Sequence, residues 1–288
     1  MKSVLFSSAA LAIGRNAVRA EDASSDQAIY SGGSPWGNVL GWRLGSQSWT
    51  FRLFPFEEAV KKIASLGLRV IEAGPGQKVR AGDDLVISYD MTKAQRYVVR
   101  SILADHDMTM PTFGGTDVTP QAMEFALDMG IETLVTEPSP DMLPEYDKLA
   151  QQYGVNVAIH NHPNPSIYWD YKLTLERLKD LSPRMGICLD TGHFRRSGFE
   201  PVDVARAMKG RILTVHMKDL NNKGGPDCHD VPWGTGVCDI AGFMVELKRQ
   251  NFKGVFHAEY EHNWENSLPE VGECARFFNE QSRKICMA

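Results

Sequence analysis

The sequence predicts an α/β protein, a single-domain (β/α)8 TIM barrel, on three observations. Eight short β-like runs alternate with helical patterns, which is the signature of repeated βα units and a parallel sheet. No Pro-, Gly- or Ser-rich linker divides the set, so one closed barrel fits better than two domains. The chain of 288 residues suits a fold that needs roughly 250.

Reading in chain order, Lys2 precedes the apolar and small-residue run Val4 to Ile13, and Val18-Arg19-Ala20 before Glu21 has the form of a small-residue cleavage site. Residues 1–20 are therefore expected to be a Sec- or Tat-type signal peptide, placing the mature protein in the periplasm or outside the cell. A frayed leader on a cytoplasmic enzyme is the other reading. Residues 21–43, rich in Ser, Gly, Asp and Asn, read as a linker, and the barrel is expected over 44–288. The first strand is expected at Leu44 to Trp49. It is followed by a helix from Phe56 to Leu66, where Ala59, Val60, Ile63 and Leu66 recur at helical spacing and Gly67 stands as the C-terminal stop. Seven further strands are expected at Arg69 to Ala73, Thr109 to Thr112, Thr133 to Glu137, Asn156 to His160, Gly186 to Asp190, Ile212 to Lys218 and Val255 to Glu259. Helical patterns between them include Thr119 to Met129, Leu143 to Tyr153, Tyr171 to Leu181, Pro201 to Met208 and Ile240 to Asn251. Neither a G-x-G-x-x-G turn nor a P-loop occurs, which argues against dinucleotide and P-loop folds.

Composition narrows the function. Hydrophobic residues at 43% and charged residues at 23% are ordinary for a globular domain. A net charge of −5 offers no basic face for nucleic acid, and no run beyond the leader approaches the roughly 20 apolar residues of a membrane span. Nucleic acid and, after processing, a membrane are therefore not expected partners; a homo-oligomer stays open. The five cysteines lack C-x-x-C spacing and read as free thiols, with Cys188 in a strand.

Catalytic groups of such barrels sit at the C-terminal ends of the strands. Those ends carry Glu72, Glu137, His160 with His162, Asp190 with His193, His216 with Lys218 and Asp219, and Glu259 with Glu261. Carboxylates converging on one pocket repel each other and lose hydration unless a cation or protons neutralise them. One divalent ion is the economical answer. A mixed carboxylate and imidazole set suits manganese foremost, with zinc, cobalt, iron, nickel or magnesium open, and suits calcium less.

Four segments carry a family resemblance: Leu189-Asp190-Thr191-Gly192-His193, Val215-His216-Met217-Lys218-Asp219, the loop His229 to Gly236, and Ala258-Glu259-Tyr260-Glu261-His262. Together they resemble the xylose isomerase-like TIM barrels, a superfamily of sugar isomerases, ketose 3-epimerases, inosose dehydratases and endonuclease IV, over nearly all of residues 44–280. The resemblance implies metal binding by Asp190, His216 and Glu259. The epimerases place a further metal-binding Glu on strand five, where this chain has His160. Glu137 is the preferred fourth ligand, which leaves His160 and His162 for proton transfer; His160 as the ligand is the alternative.

A metal gripping a carbonyl oxygen acidifies the neighbouring C–H, and a neutral imidazole can then take the proton. Isomerisation, epimerisation and elimination share that first step. Exported relatives in this resemblance act on 3-keto-glucosides as hydratases or lyases, so a non-phosphorylated sugar, keto-sugar or keto-glycoside is the expected substrate. Lys218 is expected to hold a substrate oxygen or to pair with Asp219 or Glu261. Trp49, Glu72, His193, His229, Trp233 and Glu261 are the expected substrate contacts. A non-catalytic sugar-binding barrel and a metal nuclease like the AP endonucleases remain as rival readings.

Overall fold

The computed structural model describes residues 29–288. The expected signal peptide and residues 21–28 lie outside the described residues. Eight parallel strands close into a barrel: β1 (Trp42–Gln47), β2 (Val70–Ala73), β3 (Thr109–Phe113), β4 (Thr133–Thr136), β5 (Asn156–His160), β6 (Met185–Asp190), β7 (Ile212–Met217) and β8 (Gly254–Ala258). Closure runs through β1 and β8, where Leu44 lies opposite Phe256 and Ser46 opposite Ala258. The strands are buried on both faces, as covering helices require of a parallel sheet.

Local signals explain the helices. Helix α2 (Phe56–Ser65) starts with Glu57 and Glu58, carries Lys62 in its last turn, and buries Ala59, Val60 and Ile63. Helix α4 (Pro120–Met129) is capped by Thr119 and stopped by Gly130 at φ 72°, and α5 (Leu143–Tyr153) by Gly154 at φ 72°. Helices α6 (Tyr171–Leu178), α8 (Pro201–Ala207) and α9 (Ile240–Arg249) fall where helical spacing is expected.

Several boundaries differ from expectation. The second half of the expected linker is structured: Pro35–Leu40 form a helix, α1, and β1 begins at Trp42. Its Trp36 N–H donates to Asn279 Oδ1 at 3.0 Å, and Trp42 packs on Phe278 with ring centroids 5.9 Å apart. The partner surface is α10 (Leu268–Met287), a long C-terminal helix that shelters this otherwise polar segment. Two further helices, α3 (Lys93–Ala104) and α7 (Thr191–Arg196), complete the set. Strand β1 ends at Gln47, and Ser48–Phe51 turn into a 3-10 helix that carries Trp49 to the rim. Strand β7 stops at Met217; Asp219–Leu220 instead pair antiparallel with Asp230–Val231, making a small hairpin over the mouth. Among the described residues no helix is long and apolar enough to cross a membrane.

Candidate active site

Strand periodicity builds the site, because residues two apart on a strand face the same side. Three strands, two of them with the residue that follows, thus deliver buried pairs to one end of the barrel: Cys188 and Asp190 from β6, His216 from β7 with Lys218 just after it, and His257 from β8 with Glu259 just after it. His160 ends β5, while Glu137 and His162 follow β4 and β5. A cavity of about 400 Å³ opens there, lined by His160, His162, His193, His216, Glu259 and Glu261 among others.

Lys218 is the hub. Only 1% exposed, its Nζ lies 2.9 Å from Asp190 Oδ2, 2.6 Å from Glu259 Oε2 and 2.8 Å from Glu261 Oε2. Burial disfavours the ammonium, but these carboxylates override it and hold its pKa well above the ordinary lysine value. The same burial would push the acids up, yet Asp190 stays well below the usual carboxylate range beside His193, Lys218 and His160. Glu259 does so beside Lys218 and His216.

Beneath the hub, His216 Nδ1 lies 3.1 Å from Glu259 Oε2 and 3.2 Å from His160 Nε2, and its Nε2 lies 2.8 Å from Glu72 Oε1. Burial opposes its charge, but Cys188, Glu72 and Glu259 hold it well above the ordinary imidazole value. Burial pushes the Cys188 thiol up to about 12, so that sulfur contributes a dipole and the two carboxylates carry the effect. Glu72 is fully buried; against that desolvation, His216 and His257 lower its pKa to about 2. His257, driven down to about 4 by burial, stays neutral and shares a 2.7 Å hydrogen bond with Thr112 Oγ1.

Outer partners sort the histidines, since a carboxylate only accepts and a guanidinium only donates. Glu72 Oε1 accepts a hydrogen bond from His216 Nε2–H. Glu137 Oε2, 2.5 Å from His162 Nδ1, takes that N–H and leaves Nε2 as the ring's free nitrogen. This hydrogen bond raises the His162 pKa against the opposing pull of burial. On His193, Arg196 Nη1 sits 3.1 Å from Nδ1. His160 is pulled down by burial, with Asp190 working the other way, and remains neutral.

Donor chemistry and charge both fit a divalent cation. One ligand atom from each of His160, Asp190, His193 and Glu259 lies within 4.8 Å of all the others. Four carboxylates, Glu72, Asp190, Glu259 and Glu261, face two buried cations, Lys218 and the charged His216, which leaves the cluster in negative excess. The ammonium already contacts Asp190 Oδ2 and Glu259 Oε2, so an ion held by these residues would share both carboxylates with Lys218.

The structure brings together most of the expected residues but not all. Glu137, expected as a ligand, bonds His162 and the Ser166 hydroxyl and lies outside the set of donor atoms within 4.8 Å of one another, which includes His160, the alternative to it. Glu72 sits below His216 at the cavity floor, its Oε1 bound to the imidazole. Trp233, expected as a substrate contact, lies outside the cavity lining: it is 2% exposed and packs toward Phe278 with ring centroids 6.3 Å apart. His229 stacks on His262 at 4.3 Å and bonds the Asp227 carbonyl, apart from the cavity lining. Asp219, offered as a partner for Lys218, accepts backbone N–H groups of Gly234, Gly236 and Cys238 instead, and so ties down that loop. Trp49 does border the cavity at 49% exposure. Sequence reasoning missed Cys188, His257, Asp230 and Arg196; for the first two, their i, i+2 spacing to Asp190 and Glu259 is the signal that could have found them.

The comparisons agree with this architecture. The profile of the xylose isomerase-like TIM barrel family matches residues 60–281. An inosose dehydratase of Bacillus cereus (strain AH820) is 32% identical over 140 residues, covering 42% of this chain and 45% of that protein. The chain thus matches less than half the length of this curated relative. A solved protein from Parabacteroides distasonis ATCC 8503 is 28% identical with a TM-score of 0.68, over 83% of this chain and 99% of its own. The zinc-bound IolI protein shares the fold at 16% identity and a TM-score of 0.64, over 84% of this chain and 98% of that one. On the match over most of its barrel, the chain belongs to the xylose isomerase-like TIM barrel family.

Proposed function

We propose that the chain is a divalent-metal-dependent enzyme that removes a proton beside the carbonyl of a non-phosphorylated sugar, keto-sugar or keto-glycoside, and completes a hydratase or lyase step. The observation that carries this reading is the Glu137–His162 pair, an oriented imidazole with one free nitrogen, beside a donor set of carboxylates and imidazoles. Asp190, Glu259, His160 and, once its Nδ1 proton is released, His216 are the residues to hold the ion, with manganese foremost and zinc next. When bound, such an ion polarises the substrate carbonyl.

The chain's own groups supply the rest. His162 Nε2 takes the proton, and Glu137 stabilises the imidazolium that forms. His193 offers an N–H group to a substrate oxygen, and the half-exposed Trp49 ring offers a stacking face for a sugar; Lys218, its three N–H groups taken by Asp190, Glu259 and Glu261, holds those carboxylates in place beneath the cavity. An isomerase or epimerase shares the first step, but the strand-five position where the epimerases place a metal-binding Glu is His160 here, a departure that counts against a two-carboxylate epimerase mechanism and favours elimination or hydration. The dehydratase name borne by the Bacillus cereus relative and the zinc of IolI support the reading. Export through residues 1–20 belongs to the same proposal.

The test is incubation of manganese-loaded protein with keto-sugars and keto-glycosides in deuterated water. We expect deuterium at the carbon beside the ketone and its loss in His162→Ala; absence of exchange with every such ketone would overturn the reading.

A further inference from the structure

His193 stands between two cations. Arg196 Nη1 is 3.1 Å from its Nδ1, and Lys218 Nζ is 3.4 Å from its Nε2. A neutral imidazole has one donor and one acceptor nitrogen, so only one of these cations can donate to it. Each of these cations can only donate, so the nitrogen that accepts carries no proton and the ring is singly protonated. The three N–H groups of Lys218 are matched by Asp190, Glu259 and Glu261, all at shorter distances than His193. Arg196 is therefore the donor, and its N–H hydrogen-bonds to an unprotonated Nδ1.

Arg196 is itself held in place. Its Nη2 donates to Asp230 Oδ1 at 2.9 Å; the other oxygen of that buried carboxylate accepts the Glu261 N–H at 2.7 Å, and the Asp230 carbonyl accepts from the Tyr260 hydroxyl at 3.2 Å. The clamp thus joins the segments that follow β6, β7 and β8.

We infer that Arg196, anchored by Asp230, is a positioning residue that locks the ring proton of His193 on Nε2, so that this nitrogen meets the cavity as a hydrogen-bond donor to a substrate oxygen and holds no metal ion. The lock follows from geometry; only the identity of the oxygen rests on the function proposed above. It also reduces the mutual donor set to His160, Asp190 and Glu259, with His216 beside them.

The experiment is nitrogen-15 NMR of the full chain labelled at histidine, with His193→Gln used to assign the resonances. We expect a protonated Nε2 and an unprotonated Nδ1, and the Nε2 proton retained on titration with Zn²⁺. Protonation at Nδ1, or loss of the Nε2 proton on zinc addition, overturns the inference, and neither readout depends on finding a substrate. In Arg196→Met the two tautomers should mix, and turnover of any ketone found to react should fall about 10- to 100-fold at unchanged zinc stoichiometry, as for other partners that orient site histidines. Arg196→Lys, which keeps a donor, should recover part of both effects. A fixed Nε2 tautomer persisting in Arg196→Met would show that the guanidinium does not set it. If Arg196→Met fails to fold, the spectra of the unaltered chain still decide.

Discussion

The two ends of the barrel treat charge in opposite ways. At the N-terminal end each cation meets its own acceptors: Arg43 grips Glu132 with two hydrogen bonds of 2.7 and 2.6 Å, and Arg211 donates to the carbonyls of Ser182, Met185 and Leu181 at 2.8, 3.0 and 3.0 Å. At the mouth, carboxylates converge on one ammonium, and four imidazoles, those of His160, His162, His193 and His216, crowd beside them. The first arrangement is complete in itself and ties strand starts together. The second is crowded with like charge, which folding alone does not favour, and it makes sense as a surface that something else completes.

The largest expected effect breaks the mouth. Asp190→Ala or Glu259→Ala should abolish metal binding and activity together, checked by elemental analysis of folded protein. Either change also leaves the buried Lys218 short of a partner, at a cost of up to about 3–5 kcal/mol in chemical denaturation. Retention of full metal content in both variants would remove the metal from the mechanism.

Next come the two histidines that follow one another from β5. His162→Ala should lower kcat by about 10²- to 10⁴-fold with metal content kept, the size of a lost general base. His160→Ala should instead lose the metal. The reverse outcome would exchange their roles and restore Glu137 to the ligand set.

A smaller effect lies in the pH profile. His162 acts as a base only when Nε2 is unprotonated, and its bond to Glu137 raises its pKa above the ordinary 6.5. kcat should therefore fall as pH drops through that raised value. In Glu137→Gln, which removes the charge, this acid limb should move to lower pH. A limb that stays in place would show that another group titrates.

Much of this was legible because period-two strands put chemistry at their ends: Asp190, His216 and Glu259 fall where an eight-strand reading places them, and the barrel itself follows from the alternation. What was not legible depends on depth or on meeting across loops. Glu72 reads as a strand-end acid like the others, but β2 is only four residues long and Glu72 precedes its last residue, so the side chain lies at the cavity floor. Arg196 and Asp230 stand 34 positions apart, and only barrel closure brings them to one histidine. Trp233 lies in a Gly-rich loop, and its inward turn depends on Asp219 catching three backbone N–H groups of the segment that follows it. Helix α3 did carry a local sign, the reciprocal Thr92 and Gln95 cap, which apolar spacing alone overlooks.

The smallest effect tests whether the two ends are independent. Arg43 and Glu132 are well exposed, with side chains at 39% and 54%, so their pairing should be worth only about 0.2–1 kcal/mol despite its two-pronged geometry. A double-mutant cycle of Arg43→Ala and Glu132→Ala, read by urea denaturation, should return a coupling in that range, with kcat and metal content unchanged. There is one physical route by which this expectation could fail. The Arg43 charge contributes, behind burial and the charge on His216 and against the opposing pull of Glu72, to keeping His257 neutral; His257 bonds Thr112 and lies beside Glu72, whose carboxylate orients His216. The Arg43 contribution is small beside burial, so the chain from floor to mouth should stay quiet when it is removed. A change in metal affinity in Arg43→Ala beyond the loss seen in Glu132→Ala would show that charge at the closed end reaches the open one through this buried column.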